Sequence, residues 1–269
     1  ILTLEDWHHV NLGIKNNMLA EQRRTLILDL LNRKGSVSVT ELYERLQISR
    51  ETIRRDITRL ANEGKLTKIH GGALSSNTVE PAFAERMSQN IEGKRTIGRM
   101  AAAMIVDGAS LILDGGTTTL CLAEHLIERR RLTVYTNDLQ IAAKLSGLND
   151  NRVLLLGGEV QGSDGAIYGR DATQMLENYF ADFAIVGISA FSAEWGLTDY
   201  SREAAELRSQ MLNHAKVNIL LGDHTKFERQ APVRISGHET LDHLVTDIKP
   251  KGKTAHAVKS LFRKIHIAK

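Results

Sequence analysis

VSVTELYERLQISRETIRRDITRLANEGKLTKIHGGA, residues 37–73, packs two helical periods and a hairpin into the length of one small module. Leu42, Tyr43 and Leu46 recur at helical spacing, and Ser49 is a good N-cap for a further helix. From Arg50 to Asn62, Ile53, Ile57 and Leu60 share one face, while Arg50, Glu51, Thr52, Arg54, Arg55 and Arg59 turn outward. Gly64 ends this third helix. Leu66, Thr67, Lys68 and Ile69 then alternate ahead of His70-Gly71-Gly72, the pattern of a two-stranded hairpin. Upstream, a first helix runs from Leu19 with Leu26, Ile27, Leu30 and Leu31 as its apolar stripe, until Arg33, Lys34 and Gly35 stop it. Ser36 to Thr40 reads as a short connection. Three helices and a hairpin make a winged helix-turn-helix.

A helix enters the DNA major groove when one face packs on a supporting helix and the other offers long donors. The third helix meets both conditions. Ser49, Arg50, Glu51, Thr52, Arg54 and Arg55 are the candidate DNA contacts, joined from the wing by Lys68 and His70. Glu51 lies in the first turn, where the helix dipole favours a carboxylate, and it could accept from a cytosine amine. The charge distribution agrees. Residues 18–76 hold 11 Lys/Arg against 7 Asp/Glu, whereas residues 77–269 balance at 23 against 23. Basicity is thus confined to a segment of nucleic-acid-module size. Aromatic residues make up only 5%, which points to duplex DNA rather than stacking on single strands.

At 269 residues the chain has room for this module and one domain of ordinary size. We divide it into an upstream extension or arm (1–17), the DNA-binding domain (18–74), a linker (75–82) and a second domain (83–269). Residues 1–17 carry neither helical nor strand periodicity, and Met18 is the expected natural start. The linker is marked by Ser75, Ser76, Asn77 and Pro81. No run of about 18 apolar residues exists to span a membrane. The one cysteine, Cys121, reads as a buried apolar residue, and without CxxC or HExxH patterns no metal or cofactor is expected. A reducing cytoplasm is the expected compartment.

The second domain opens with a helix expected over Phe83 to Val106, locally weakened by Gly93. Beyond it apolar runs alternate with helical stretches: LILDGG from residue 111, VYTN from 134, RVLLLGG from 152, FAIVGIS from 183, KVNILLGD from 216, then HLVTD and KIHIA. Strands apolar on both faces, alternating with helices, argue for a Rossmann-like, mostly parallel α/β domain with ligands at the carboxyl ends of its strands. Asp114-Gly115-Gly116-Thr117-Thr118-Thr119 follows the first strand and opens a helix. Glycines admit an anion to the backbone, hydroxyls donate, and the helix N-terminus supplies amides and positive dipole, so phosphate is the natural guest. Strand ends at Thr136-Asn137, Gly157-Gly158 and Gly187, with Lys226 in GDHTK, supply further polar groups.

The stretch from Val37 to Ala73, above all SRETIRRD and HGGA, resembles the N-terminal signature of the DeoR family of bacterial repressors. The likeness continues to the C-terminus through DGGTTT, Thr136-Asn137, Gly157-Gly158, DFAIVGIS and Lys226. It implies a second domain similar to ribose-5-phosphate isomerase that binds a phosphorylated sugar or polyol as effector. It also implies a transcriptional repressor of a sugar or polyol catabolic operon. A winged-helix domain reading one half-site gains affinity when paired, so a homo-oligomer, dimer or tetramer, is expected. By that resemblance Thr117, Thr118 and Thr119 hold the phosphate, with Gly115, Gly116, Thr136, Gly158 and Gly187 around them. Asp114, Asn137, Asp182 and Lys226 contact or orient the sugar. The family often carries aspartate where Ser189 stands, and this chain departs from the family there. The rival is a sugar-phosphate isomerase-like enzyme using the same pocket. Isomerases of that fold carry carboxylates in the turn after the fourth strand, where this chain reads Gly187-Ile188-Ser189-Ala190-Phe191. Ser189 lacks the closing glycine of a nucleophile elbow, and Asp223 and His224, being adjacent, are expected to diverge. No catalytic residue is assigned. A ligand-independent architectural DNA binder is the third reading.

Overall fold

A computed structural model describes residues 19–34, 36–75, 80–162, 164–236 and 241–269. The extension at 1–17, Met18 and residues 76–79 of the expected linker lie outside them. The chain divides at Glu80 and Pro81 into two compact units.

The first unit contains α1 (Ala20–Lys34), β1 (Ser36–Ser38), α2 (Val39–Leu46), α3 (Arg50–Asn62), β2 (Leu66–Ile69) and β3 (Gly72–Ser75). The segment expected as a plain connection is therefore partly a strand. β1 pairs antiparallel with β3, Ser38 opposite Gly72, and gives the wing a third strand. Gly72 makes this possible, since a Cβ there would stand 2.2 Å from the Val37 carbonyl oxygen. Side chains dictate the rest. Ile27 and Leu31 of α1, Leu42 of α2, and Ile53, Ile57 and Leu60 of α3 close one core with Val37, Leu66 and Ala73. Ser38 caps α2 by accepting from the Glu41 amide at 3.0 Å. Asp56 shares the apolar face of α3 yet is buried, because Arg23 of α1 donates to both its oxygens and Arg24 lies 3.7 Å away.

The second unit runs α4 (Phe83–Ser88), α5 (Ile91–Ala103), β4 (Ser110–Leu113), α6 (Thr117–Leu126), β5 (Thr133–Thr136), α7 (Leu139–Leu145) and β6 (Arg152–Leu155). A hairpin follows, β7 (Val160–Gln161) and β8 (Ala166–Ile167), then α8 (Arg170–Leu176), β9 (Ala181–Gly187), β10 (Ala190–Ser192), β11 (Gly196–Asp199) and α9 (Arg202–Asn213). It ends with β12 (Ala215–Leu221), a 3-10 turn (His224–Lys226), β13 (Val233–Arg234), β14 (Leu241–Thr246), α10 (Gly252–Leu261) and β15 (Phe262–Ile267). Seven strands form a parallel sheet in the order β15-β14-β12-β9-β4-β5-β6. Alternate residues face two layers of helices. Leu111, Leu113, Ile185, Ile219 and Val245 pack with Ile97, Leu122 and Ile141 of α5, α6 and α7. Ile112, Ala184, Val186, Leu220 and Leu244 pack with Leu176, Met211 and Val258 of α8, α9 and α10. Among the described residues no helix is long and apolar enough to cross a membrane.

Two further expectations are corrected. The helix read over Phe83 to Val106 is two helices broken at Gln89 and Asn90, the latter at φ 53°. Gly93 leaves space for this break: a Cβ would fall 2.4 Å from the Asn90 amide nitrogen and 2.7 Å from the Asp247 carboxylate that Asn90 bonds at 2.8 Å. Asp182, expected among the sugar contacts, lies at the amino end of β9, opposite the edge that carries DGGTTT. It accepts from the Ser110 amide at 3.0 Å and hydroxyl at 2.7 Å, and from Lys216 at 2.9 Å. Strands rise about 3.3 Å per residue, so Asp182 and Gly187 are separated by nearly the whole sheet.

Two measurements follow. Asp56→Asn should lower the stability of the first unit in urea by about 1.5–3 kcal/mol, the scale of a hydrogen bond to a charged group. An unchanged midpoint would show that the α1–α3 bridge contributes nothing. For Asp182, hydrogen bonds from Ser110 and then the Lys216 ammonium lower the carboxyl pKa from 3.8 to about 2. The ionised form is favoured in the fold, so its contribution is complete above the unfolded pKa and is lost as pH falls through the folded one. Asp182→Asn should therefore melt below the parent at pH 6, with the gap closing between about pH 4 and 2.

Candidate functional site

The sheet changes winding direction between β4 and β9: β5 and β6 extend it on one side of β4, while β9, β12, β14 and β15 extend it on the other. In open α/β sheets a crevice forms outside the carboxyl ends of the strands at such a switch point. Asp114 leaves β4 there and is fully buried. Its amide donates to the Ile185 carbonyl at 3.0 Å, and its Oδ2 accepts from the Gly187 amide at 3.1 Å. Arg208 of α9 completes the group, donating through Nε to Asp114 Oδ2 at 2.8 Å and through Nη1 to Ser189 Oγ at 2.9 Å and to Asp199 at the end of β11. Ser189 thus occupies its position as a partner of Arg208, linked also to Asp199 at 3.3 Å. Asp114 Oδ1 is buried without a hydrogen-bond partner among the described residues.

Next to Asp114 the DGGTTT turn opens α6 at Gly116, with no side-chain cap on the helix. Thr117, Thr118 and Thr119 are all buried, and the Thr119 hydroxyl turns back onto the Gly116 carbonyl at 2.9 Å. Asn137, after β5, accepts from the Gly115 amide at 2.8 Å and donates to the Ile167 carbonyl at 3.0 Å. That second bond brings the β7–β8 hairpin to the same edge. Gly158 sits beside it, with Ile167 at 2.9 Å from where its Cβ would be. Asp138 caps α7, accepting from the amides of Gln140 at 2.8 Å and Ile141 at 3.0 Å. Burial raises its pKa, against the hydrogen bonds from Ile141, Gln140 and Gly116.

Sequence residues 114–119, 136, 137, 158 and 187 are therefore brought to one edge of the sheet, and Asp182 is not. Lys226 ends the 3-10 turn that follows β12, half-buried. Asp223 and His224 diverge as expected. Asp223 is buried and accepts from the Thr225 amide and hydroxyl at 3.0 and 2.6 Å, while the exposed His224 pairs with Asp247 at 2.7 Å. Asp223 Oδ2 is the second buried carboxylate oxygen here without a partner among the described residues. Arg208 and Asp199 are functional neighbours that the sequence reading missed. The signal was present: Arg208 stands four residues after Ala204 and three before Met211, a charge on an apolar stripe.

In the first unit, Arg50, Glu51, Arg54 and Arg55 are exposed along α3. Arg50 lies 4.9 Å over the Tyr43 ring, and Arg54 is 4.0 Å from Glu51. Ser49 works as the cap, accepting from the Thr52 amide at 3.2 Å and meeting its hydroxyl at 2.9 Å. Lys68 of the wing donates to the Thr58 hydroxyl at 3.0 Å, and His70 is exposed in the turn.

Comparison with known proteins follows the same division. Residues 23–79 match the DeoR-like helix-turn-helix domain, and residues 89–248 match the DeoR C terminal sensor domain. The chain is 32% identical over 234 residues to the glycerol-3-phosphate regulon repressor of Escherichia coli K12, covering 87% of this chain and 93% of that one. It is 33% identical over 234 residues to the HTH-type transcriptional regulator GolR of Listeria innocua, covering 86% and 92%. With the HTH-type transcriptional repressor GlcR of Bacillus subtilis it shares 32% over 235 residues, covering 87% and 90%. Ribose 5-phosphate isomerase A of Methanocaldococcus jannaschii aligns with about half of each chain, 52% of this one and 55% of its own, at 14% identity and a TM-score of 0.38. With a winged helix-turn-helix on one side of Pro81, a parallel sheet with its polar edge on the other, and both family domains matched in order, the chain belongs to the DeoR family of transcriptional regulators.

Proposed function

We propose that this regulator represses a sugar or polyol catabolic operon, its first unit reading duplex operator DNA and its second sensing a phosphorylated sugar or polyol. The observation that carries the sensing role is the N-terminus of α6, which has no side-chain cap and lies beside Asp114 Oδ1, an oxygen without a partner among the described residues. A helix N-terminus takes an anion through its amides and dipole. A buried carboxylate oxygen needs a donor, and a sugar hydroxyl is one. Phosphate at Thr117 and Thr118 with a hydroxyl on Asp114 answers both requirements. The Thr119 hydroxyl is committed to Gly116 and supports the turn. Gly115, Gly116, Thr136, Asn137, Gly158 and Gly187 shape the edge, and Lys226 is the cation assigned to it.

On DNA, Arg50, Glu51, Thr52, Arg54 and Arg55 meet the major groove while Lys68 and His70 meet the backbone, and Ser49 acts by holding the start of α3. Two such modules bind an operator better than one because the second site is engaged at high effective concentration, so the active form is a homo-oligomer. Regulation rather than turnover is the role we assign, in keeping with the repressors among its relatives.

Thermal unfolding against a panel of sugar and polyol phosphates tests the sensing role, since a ligand at one hundred times its Kd adds about 2.7 kcal/mol. Stabilisation by phosphate esters, and none by the parent sugars, is expected. A shift with neutral sugars alone would overturn the phosphate reading. Thr117→Ala should leave operator affinity intact and abolish the response to the ester. Arg54→Ala and Arg55→Ala should each weaken operator binding, by about 1–3 kcal/mol with lost discrimination where a base is read, or with a reduced salt slope where phosphate is.

A further inference from the structure

The short helix α4 is the first element of the second unit, and its contacts reach Asp164, near the middle of that unit's sequence. Arg86, on α4, is buried. Its Nε donates to the Pro81 carbonyl at 2.9 Å, its Nη2 donates to the Asp164 carboxylate, and its guanidinium lies 5.7 Å over the Phe83 ring. Its own carbonyl accepts from Lys94, whose ammonium also reaches the Gln89 carbonyl at 2.8 Å and so closes the end of α4. Asp164 lies in the turn of the β7–β8 hairpin. Its carbonyl accepts from the Gln140 side chain at 3.1 Å, and the neighbouring Gly165 carbonyl accepts from the Leu139 amide at 3.0 Å.

From this hairpin the bonding continues without a gap to the phosphate turn. Ile167 donates its amide to the Asn137 carbonyl at 2.8 Å and accepts from the Asn137 side chain at 3.0 Å. Asn137 in turn holds the Gly115 amide at 2.8 Å. Pro81 and Gly115 are therefore joined through Arg86, Asp164, the hairpin and Asn137, although 34 positions separate them in the sequence. An arginine suits the junction because its planar fork fixes two acceptors in direction, which a lysine point charge does not.

We propose that Arg86 is a positioning residue that couples the effector turn to the segment leading out of the DNA-binding unit. It rests on the effector reading of that turn. An ester at Thr117 and Thr118 displaces the Gly115–Asn137 contact, the hairpin carries the displacement to Asp164, and Arg86 passes it to the Pro81 carbonyl. Arg86 touches neither ligand. Its removal therefore changes the communication between the two sites while leaving each site's own affinity in place.

The test uses the full chain, a duplex selected by the protein from a random pool, and glycerol 3-phosphate, fructose 6-phosphate and inorganic phosphate as probes. Operator Kd is measured with and without saturating probe, and probe Kd with and without operator, for the parent, Arg86→Gln, Arg86→Lys and Asp164→Asn. In the parent the two ratios should agree by linkage at about fivefold or more. Arg86→Gln and Asp164→Asn should bring both ratios to within about twofold of unity with the separate affinities preserved, and Arg86→Lys should retain part of the coupling. Asp164 is half-buried, so Asp164→Asn keeps the test alive if an Arg86 variant fails to fold. Full coupling in Asp164→Asn and a folded Arg86 variant would overturn the proposal. Probe binding by the parent without any change in operator affinity would also overturn it. No binding of any probe would instead overturn the effector reading beneath it.

Discussion

Arg208 holds the sensor edge together. Removing a guanidinium from water costs several kcal/mol, and the cost is offset only where acceptors surround it in good geometry. Here they come from three places in the chain: Asp114 after β4, Ser189 after β9 and Asp199 at the end of β11. The cation stands between two carboxylates that would otherwise repel across the switch point, and it fixes the direction of Asp114. Because Oδ2 of Asp114 is taken by Arg208 and the Gly187 amide, Oδ1 is the oxygen turned to other use. The orientation of Asp114 therefore depends on a residue about ninety positions further along the chain.

The same device occurs twice more. Asp56 sits on the apolar face of α3 between Ile53 and Leu60 and is answered by Arg23 and Arg24 of α1. Lys94 sits on the buried face of α5 three residues before Ile97 and is answered by backbone carbonyls at the end of α4. Burial lowers the Lys94 pKa, with the Asp223 carboxylate acting in the opposite direction. In each case a charge interrupts an apolar stripe, and its partner belongs to another element. Such pairs contribute little net stability compared with apolar replacements, but they orient what they join. In α3 that is the helix that presents Arg50, Arg54 and Arg55.

The two units solve opposite electrostatic problems. The first leaves the arginines of α3 in water, where long donors can exchange solvent for phosphate and base edges. The second buries a few of its charges, Asp114, Asp199 and Arg208 among them, and pairs these with one another at one edge of the sheet. This difference is the physical content of the uneven charge distribution along the chain, 11 cations against 7 anions in residues 18–76 and an even count after them.

Periodicity and local chemistry are properties of neighbours in the chain, and these were legible. The three helices, the wing, the seven apolar runs that became strands, the DGGTTT turn and the polar strand ends could all be read from spacing of 3.6 or 2 and from Gly, Asn and Ser at the turns. Even the burial of Asp56 and Arg208 had a local sign in the stripes they interrupt. Partners were another matter. That Asp182 belongs to the amino edge of β9 and not to the pocket follows from which end of a strand it occupies once Ser110 and Lys216 are beside it. The break at Asn90, the strand at Ser36–Ser38, the β7–β8 hairpin over Asn137 and the closure of Arg208 on three acceptors likewise depend on residues tens of positions apart. The sequence by itself determined the helices of the first unit, the seven strands of the parallel sheet and the DGGTTT turn, because those are set by contacts within a few residues. Only the tertiary structure decided which charges are spent on one another and which remain for a ligand, because that depends on the strand order that brings distant ends together.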